Sequence, residues 1–135
     1  MNISKEYIYS YIDQFHQAGL FNLLYLRGKG FKLLRKPQKI YLENPNLFFL
    51  VEEEKSFDIH KGSIRETFFI NQASAEFKLF FTHDADFVTS KGLLFEAGGK
   101  SKQPKKSIPD YFLTLDDINI GFKNHIPLWL FDFLY

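Results

Sequence analysis

"HDADFVTSKGLLFEAGGKSK", residues 83–102, decides how the chain folds. Two short apolar runs, at about 85–89 and 93–97, flank Ser90-Lys91-Gly92, a turn composition, so the stretch reads as a β-hairpin. Each arm carries one acid. Alternation along a strand puts Asp86 on the face of Val88 and Glu96 on the face of Leu94, and pairing of the arms brings the carboxylates within reach of each other. Close carboxylates repel unless a cation or proton neutralises them, which favours Mg²⁺ held by Asp86 and Glu96. Mg²⁺ so held would polarise a phosphodiester and activate a water. The competing reading is that each acid faces solvent or pairs with a lysine, and the spacing alone favours that one.

Working back from the hairpin, a further strand is expected at about 77–82, and "SIRETFFINQAS" has helical spacing, with Phe68 four residues after Ile64. Glu66 lies on this helix with Phe69, Ile70 and Ala73, although Ser63-x-x-Glu66 also matches a capping box in which Glu66 serves only a backbone N–H. "EEEKSFD" reads as a solvated loop. Ahead of it, "NPNLFFLVEE" reads as a short helix capped by Asn44 with Pro45 at its first position, and "KIYLE" as a strand. Forward of the hairpin, "GGKSKQPKKSIPD" is a basic loop, "YFLTLDDINIGF" gives one or two strands, and "IPLWLFDFLY" forms a short apolar helix or turn whose side chains pack on the core. The order implies an α/β (α+β) domain, a mixed sheet flanked by helices.

The first 37 residues read differently. Ile8, Tyr11, Ile12 and Phe15 line one face of a helix over 4–18, with Ser4 as N-cap and Gly19 after its end. "LFNLLYLRGKGFKLLRKP" then reads as a β-hairpin about "RGKG". Arg27, Lys29, Lys32, Arg35, Lys36 and Lys39 make it basic without an intervening acid. Pro37 marks the expected boundary between a unit at 1–37 and one at 38–135. A helix followed by a two-stranded wing is the end of a winged-helix fold, whose basic residues contact DNA phosphates. The helices that precede such a wing are not in the chain, so either a piece of a longer protein or a stand-alone remnant of one is expected. The plainer reading is a solvated hairpin whose lysines protect an edge strand.

Composition narrows the function classes. The chain has 135 residues, 45% hydrophobic and 19% aromatic, with 17 Phe and one Met, so its core should rest on rings. There is no Cys, which excludes disulfides and thiolate zinc sites, and His16, His60, His83 and His125 are too scattered to suggest zinc. A net charge of +1 draws in no nucleic acid by itself, so DNA contact must come from local patches. No apolar run approaches a signal peptide or membrane span, so a cytoplasmic protein without a membrane partner is expected.

The stretches "KIYLENPNLFFL", "RETFFINQ", "DADFVTSKGLLFEAGGKSK" and "LTLDDINIGFKNHIPLWLFDFLY" resemble, in order and spacing, the C-terminal domain of a family of bacterial and archaeal AAA-type ATPases. In that family an ATPase module and a winged helix precede a domain similar to the PD-(D/E)XK nucleases. The resemblance covers nearly all of residues 39–135, and the helix and hairpin before it match the end of the family's winged helix. It implies a restriction-endonuclease-like fold with an N-terminal partial winged helix. It carries over Glu66 from the Glu-Asn-x-Val-x-x-Glu-Leu helix, Asp86 from the Glu-Val-Asp-Phe-Val strand and Glu96 from the Glu-x-Lys strand.

This sequence departs from the pattern at the lysine. The position two residues after Glu96 is Gly98, and Lys100 lies roughly 13 Å beyond Glu96 at strand rise. Only a bulge or turn at Gly98-Gly99 would swing Lys100 back to complete a set of Glu66, Asp86, Glu96 and Lys100, and Lys102 lies further along still. Hydrolysis without that lysine lacks a main electrostatic contributor. No Gly-x-x-x-x-Gly-Lys-Ser/Thr occurs, so the chain binds no ATP by that route. Three readings follow. The first is a module with a degenerate nuclease-like site, engaging DNA or tethering an ATPase to its target. Its DNA contacts would be Arg27, Lys29, Lys32, Arg35, Lys36, Lys102, Lys105 and Lys106. The second is an active Mg²⁺-dependent DNA endonuclease, and the third a protein–protein docking domain.

Overall fold

The computed structural model describes residues 3–28, 36–55, 59–105 and 108–134. Helix α1 (Lys5–Gln17) follows Ser4, whose extended backbone makes it the N-cap. The chain then turns back, the Leu20 N–H donating to the Phe15 carbonyl, into strand β1 (Phe21–Leu24). The second arm of the hairpin expected around "RGKG" falls at 31–35, outside the described residues. The partner that β1 takes is strand β2 (Lys39–Leu42), antiparallel, with Leu24 opposite Lys39. Strand pairing thus runs across Pro37.

Helix α2 (Asn46–Lys55) starts as expected, with the Asn46 N–H donating to Asn44 Oδ1 at 2.8 Å. It continues through residues 52–55, where a loop was expected, because glutamates and a lysine are good helix formers. Helix α3 (Lys61–Ala73) follows, N-capped by His60. Glu66 therefore lies well inside the helix and is not the partner of a capping box at Ser63.

Strands β3 (Leu79–Phe80), β4 (Phe87–Thr89), β5 (Leu94–Gly98), β6 (Tyr111–Leu115) and β7 (His125–Pro127) form one five-stranded sheet in that order. The first two pairings are antiparallel and the last two parallel, so the sheet is mixed, with helices beside it. The β4–β5 hairpin matches the reading of residues 83–102. Its turn needs a backbone that only glycine adopts freely, and Gly92 has φ +91°. A 3₁₀ helix, Leu128–Phe133, ends the described chain.

One face of β4–β6 meets α3. Phe69 of α3 is fully buried, with its ring 4.9 Å from Phe87, 5.2 Å from Phe95 and 4.8 Å from Phe131. The Phe112 ring stacks on Phe95 at 5.4 Å. Leu24 and Tyr41 belong to the same core, so β1 and β2 share it with the larger sheet. The C-terminal segment packs inward through Leu128 and Phe131, while Trp129, Leu130 and Phe133 point out. The opposite face of the sheet buries Ala85, Tyr111, Leu113 and Leu115. Helix α1 buries no side chain, and Ile8, Tyr11 and Phe15 stay exposed. No helix among the described residues is long and apolar enough to cross a membrane.

Candidate acid–lysine site

Register brings the hairpin acids together. Phe87 lies opposite Phe95, and Asp86 sits in the bend just before β4, beside the part of β5 that carries Glu96 and Ala97. Asp86 Oδ2 accepts the Ala97 N–H at 3.0 Å, which pins that carboxylate to β5. Its Oδ1 lies 3.9 Å from Lys39 Nζ. Glu66 reaches the same ammonium from α3. Its Oε2 is 3.2 Å from Lys39 Nζ and accepts the Tyr41 hydroxyl at 2.7 Å. Lys39 and Tyr41 alternate along β2 and so share a face, which explains why both reach one helix residue.

Glu96 has no exposed surface. The Tyr111 hydroxyl donates to its Oε2. Its Oε1 lies 2.9 Å from Lys102 Nζ and 3.1 Å from Lys105 Nζ. Both ammoniums lie within ion-pair distance of that oxygen.

The charges answer to these contacts. Burial pushes the Glu96 carboxyl up, but Tyr111, Lys102 and Lys105 more than offset this and hold it below the ordinary carboxylate range. Burial, then the nearby Glu66 charge, raise the Asp86 carboxyl, and Lys39, the Ala97 amide and Lys102 only partly oppose them. The Lys102 ammonium is pulled down by burial and carried above its usual range by Glu96, Asp86 and Glu66. One ammonium therefore feels all three acids. Tyr41 and Tyr111 are both raised, by burial first and then by Glu66 and Glu96 respectively, so each keeps the proton it donates.

The cation at Glu96 is not the expected one. After Gly98 the chain makes a tight turn, closed by Lys102 N–H to the Gly99 carbonyl at 2.9 Å. Lys100 falls on the outside of this turn and is exposed. Lys102 returns, its stem crossing Gly98 so closely that a Cβ there would stand 2.7 Å from Lys102 Cβ and Cγ. Arg65 braces the same turn. Its guanidinium lies against Gly99, and its Nε is 3.1 Å from Asp116 Oδ2, while the Asp116 N–H donates to the Gly98 carbonyl.

Gly98→Ala is accordingly expected to cost about 1–3 kcal/mol, the range for overpacking a filled position. Part of that cost should come from lifting Lys102 off Glu96. Urea denaturation of Gly98→Ala in the wild-type and Lys102→Ala backgrounds checks this, with the smaller loss expected where Lys102 is already truncated.

The remaining candidates disperse. Arg27 donates to the Ser90 carbonyl at 2.8 Å and so holds the β4–β5 turn. Lys36 lies over the Tyr9 ring at 5.6 Å. Lys29, Lys32, Arg35 and Lys106 lie outside the described residues.

Among the described residues, no three acidic or histidine side chains are spaced to share a metal ion. Asp86 and Glu96 each have one oxygen committed to a hydrogen bond, and a Mg²⁺ shared by their other oxygens would displace the ammoniums now beside them. Sequence reading missed Lys39, Tyr41, Tyr111 and Arg65. The available signal was the alternation of Lys39 with Tyr41 in "KIYL".

Comparison with protein-family models, curated proteins and solved structures finds no match to this chain.

Proposed function

We propose that this chain is the C-terminal module of an AAA-type ATPase, with a restriction-endonuclease-like domain following the end of a winged helix. Its nuclease-like site has become a DNA-holding site. The observation that carries this reading is the neutralisation of the acids by resident ammoniums: Lys39 with Glu66 and Asp86, Lys102 and Lys105 with Glu96. A cleaving site of this kind spends its acids on a divalent cation and keeps a lysine for the attacking water. Here the acids hold lysines instead. Lys102 and Lys105 remain 35% and 52% exposed, so they are anchored from below by a buried carboxylate and open to a phosphate from above. Such contacts are independent of base sequence and weaken with salt.

The test is fluorescence anisotropy of a labelled DNA duplex across a salt series. Binding at low salt is expected, and Lys102→Ala with Lys105→Ala should lower the slope of log K against log salt by about 2. Plasmid DNA with Mg²⁺ or Mn²⁺ should stay intact. Absence of salt-dependent binding at low ionic strength overturns the proposal.

A second reading, a Mg²⁺-dependent endonuclease, is favoured by one observation: Lys102 crosses Gly98 and so returns an ammonium to the acids. Plasmid cleavage that Asp86→Ala abolishes would establish it in place of the first.

A further inference from the structure

Lys39 stands in an unusual stoichiometry. An ordinary ion pair sets one cation against one anion, whereas this ammonium lies between carboxylates from two different elements, Glu66 of α3 and Asp86 before β4. Lys39 makes the close contacts to both acids, and Lys102 acts on them from farther away. Asp86 is the more buried member of the pair, 7% exposed, and its remaining oxygen is tied to a backbone amide. The ammonium is itself seated from the side by the Tyr41 ring, 5.9 Å from its centroid, while the Tyr41 hydroxyl holds Glu66 in place. A divalent cation would match the charge of two carboxylates, but it would compete for the space that Lys39 fills.

We propose that Lys39 is the resident counter-ion of the Glu66–Asp86 pair and closes it to divalent cations. The pair is then a latent metal site that one side chain keeps shut. The inference concerns the same site as the proposed function but does not require DNA binding, and loss of DNA affinity would leave it standing.

Thermal unfolding with and without millimolar Mg²⁺, Ca²⁺ or Mn²⁺ tests it. Wild type should show no change in melting temperature. Lys39→Met should melt lower than wild type without metal and gain several degrees when a divalent cation is added. Lys39→Arg, which keeps the charge, should behave as wild type, and Asp86→Asn added to Lys39→Met should remove the gain. Lys39→Gln, which can still donate to Glu66, provides a gentler opening of the pair should the methionine variant fold poorly, and it should show the same gain. Mn²⁺ binding to wild type, read by electron paramagnetic resonance, should be insensitive to Asp86→Asn. Asp86-dependent Mn²⁺ binding by wild type overturns the proposal, as does an absence of any divalent response in both opened variants.

Discussion

Phe69→Ala is expected to destabilise the protein by about 3–5 kcal/mol, the usual range for removing a buried ring. The ring has no exposed surface and is the hub of the aromatic core, touching Phe87 of β4, Phe95 of β5 and Phe131 of the 3₁₀ helix. Truncation leaves a void facing side chains from three separate elements, so no single side-chain shift closes it. Against a typical stability of about 5–15 kcal/mol, such a loss approaches unfolding. Urea denaturation measures it. Phe133→Ala serves as the internal control, because that ring is 72% exposed and its removal should cost little. Equal losses in the two variants would mean that the core is not organised around Phe69.

The second large effect is at Glu96. Replacing it by alanine strips the counter-charge from Lys102 and Lys105 and the acceptor from the Tyr111 hydroxyl in one step. Removing one partner of a buried pair typically costs 3–5 kcal/mol, but both lysines are partly exposed and can turn to water, so about 3 kcal/mol is expected at neutral pH.

The cost should depend on pH in a defined way. Glu96 titrates below its ordinary value in the folded protein, so its stabilisation is complete above the ordinary carboxylate range and fades as pH falls through the depressed value. Lys102 titrates above its ordinary value, so its share persists at neutral pH and is lost only as pH rises through that elevated value. The gap between wild type and Glu96→Ala should therefore be flat around neutrality and narrow on the acid side. Urea midpoints collected across this range would show it, and a gap that widens on acidification would contradict the arrangement around Glu96.

Local chemistry made much of the architecture legible. The β4–β5 hairpin was marked by two apolar runs and a glycine-bearing turn. The helices were marked by spacing and by the Asn44 cap. Alternation suggested that the hairpin would bring Asp86 and Glu96 near each other, and in the structure Asp86, in the bend before β4, is tied to β5 next to Glu96 through the Ala97 amide. Long-range choices were hidden. That β1 would pair with β2 across Pro37 depends on shared burial of Leu24 and Tyr41 with the phenylalanine core, which no local window contains. The lysine at Glu96 was misjudged for a similar reason. Parity along an extended strand pointed to Lys100, but the chain leaves the strand at Gly98, and beyond a tight turn parity no longer applies. Arg65 and Asp116 brace that turn from 51 residues apart, a distance that sequence spacing does not encode.

The borders of the five-stranded sheet have a consequence for how the molecule behaves in crowded solution. The outermost strand on one side is two residues long, and the Tyr25 carbonyl already receives the amide of Phe81 just past its end. On the other side the last strand has three residues and finishes at Pro127, which has no amide hydrogen to offer. Neither margin presents the long row of unpaired backbone groups on which a second chain could extend the sheet. In a protein this rich in phenylalanine, the blunt margins of this sheet remove one route to edge-to-edge fibre growth.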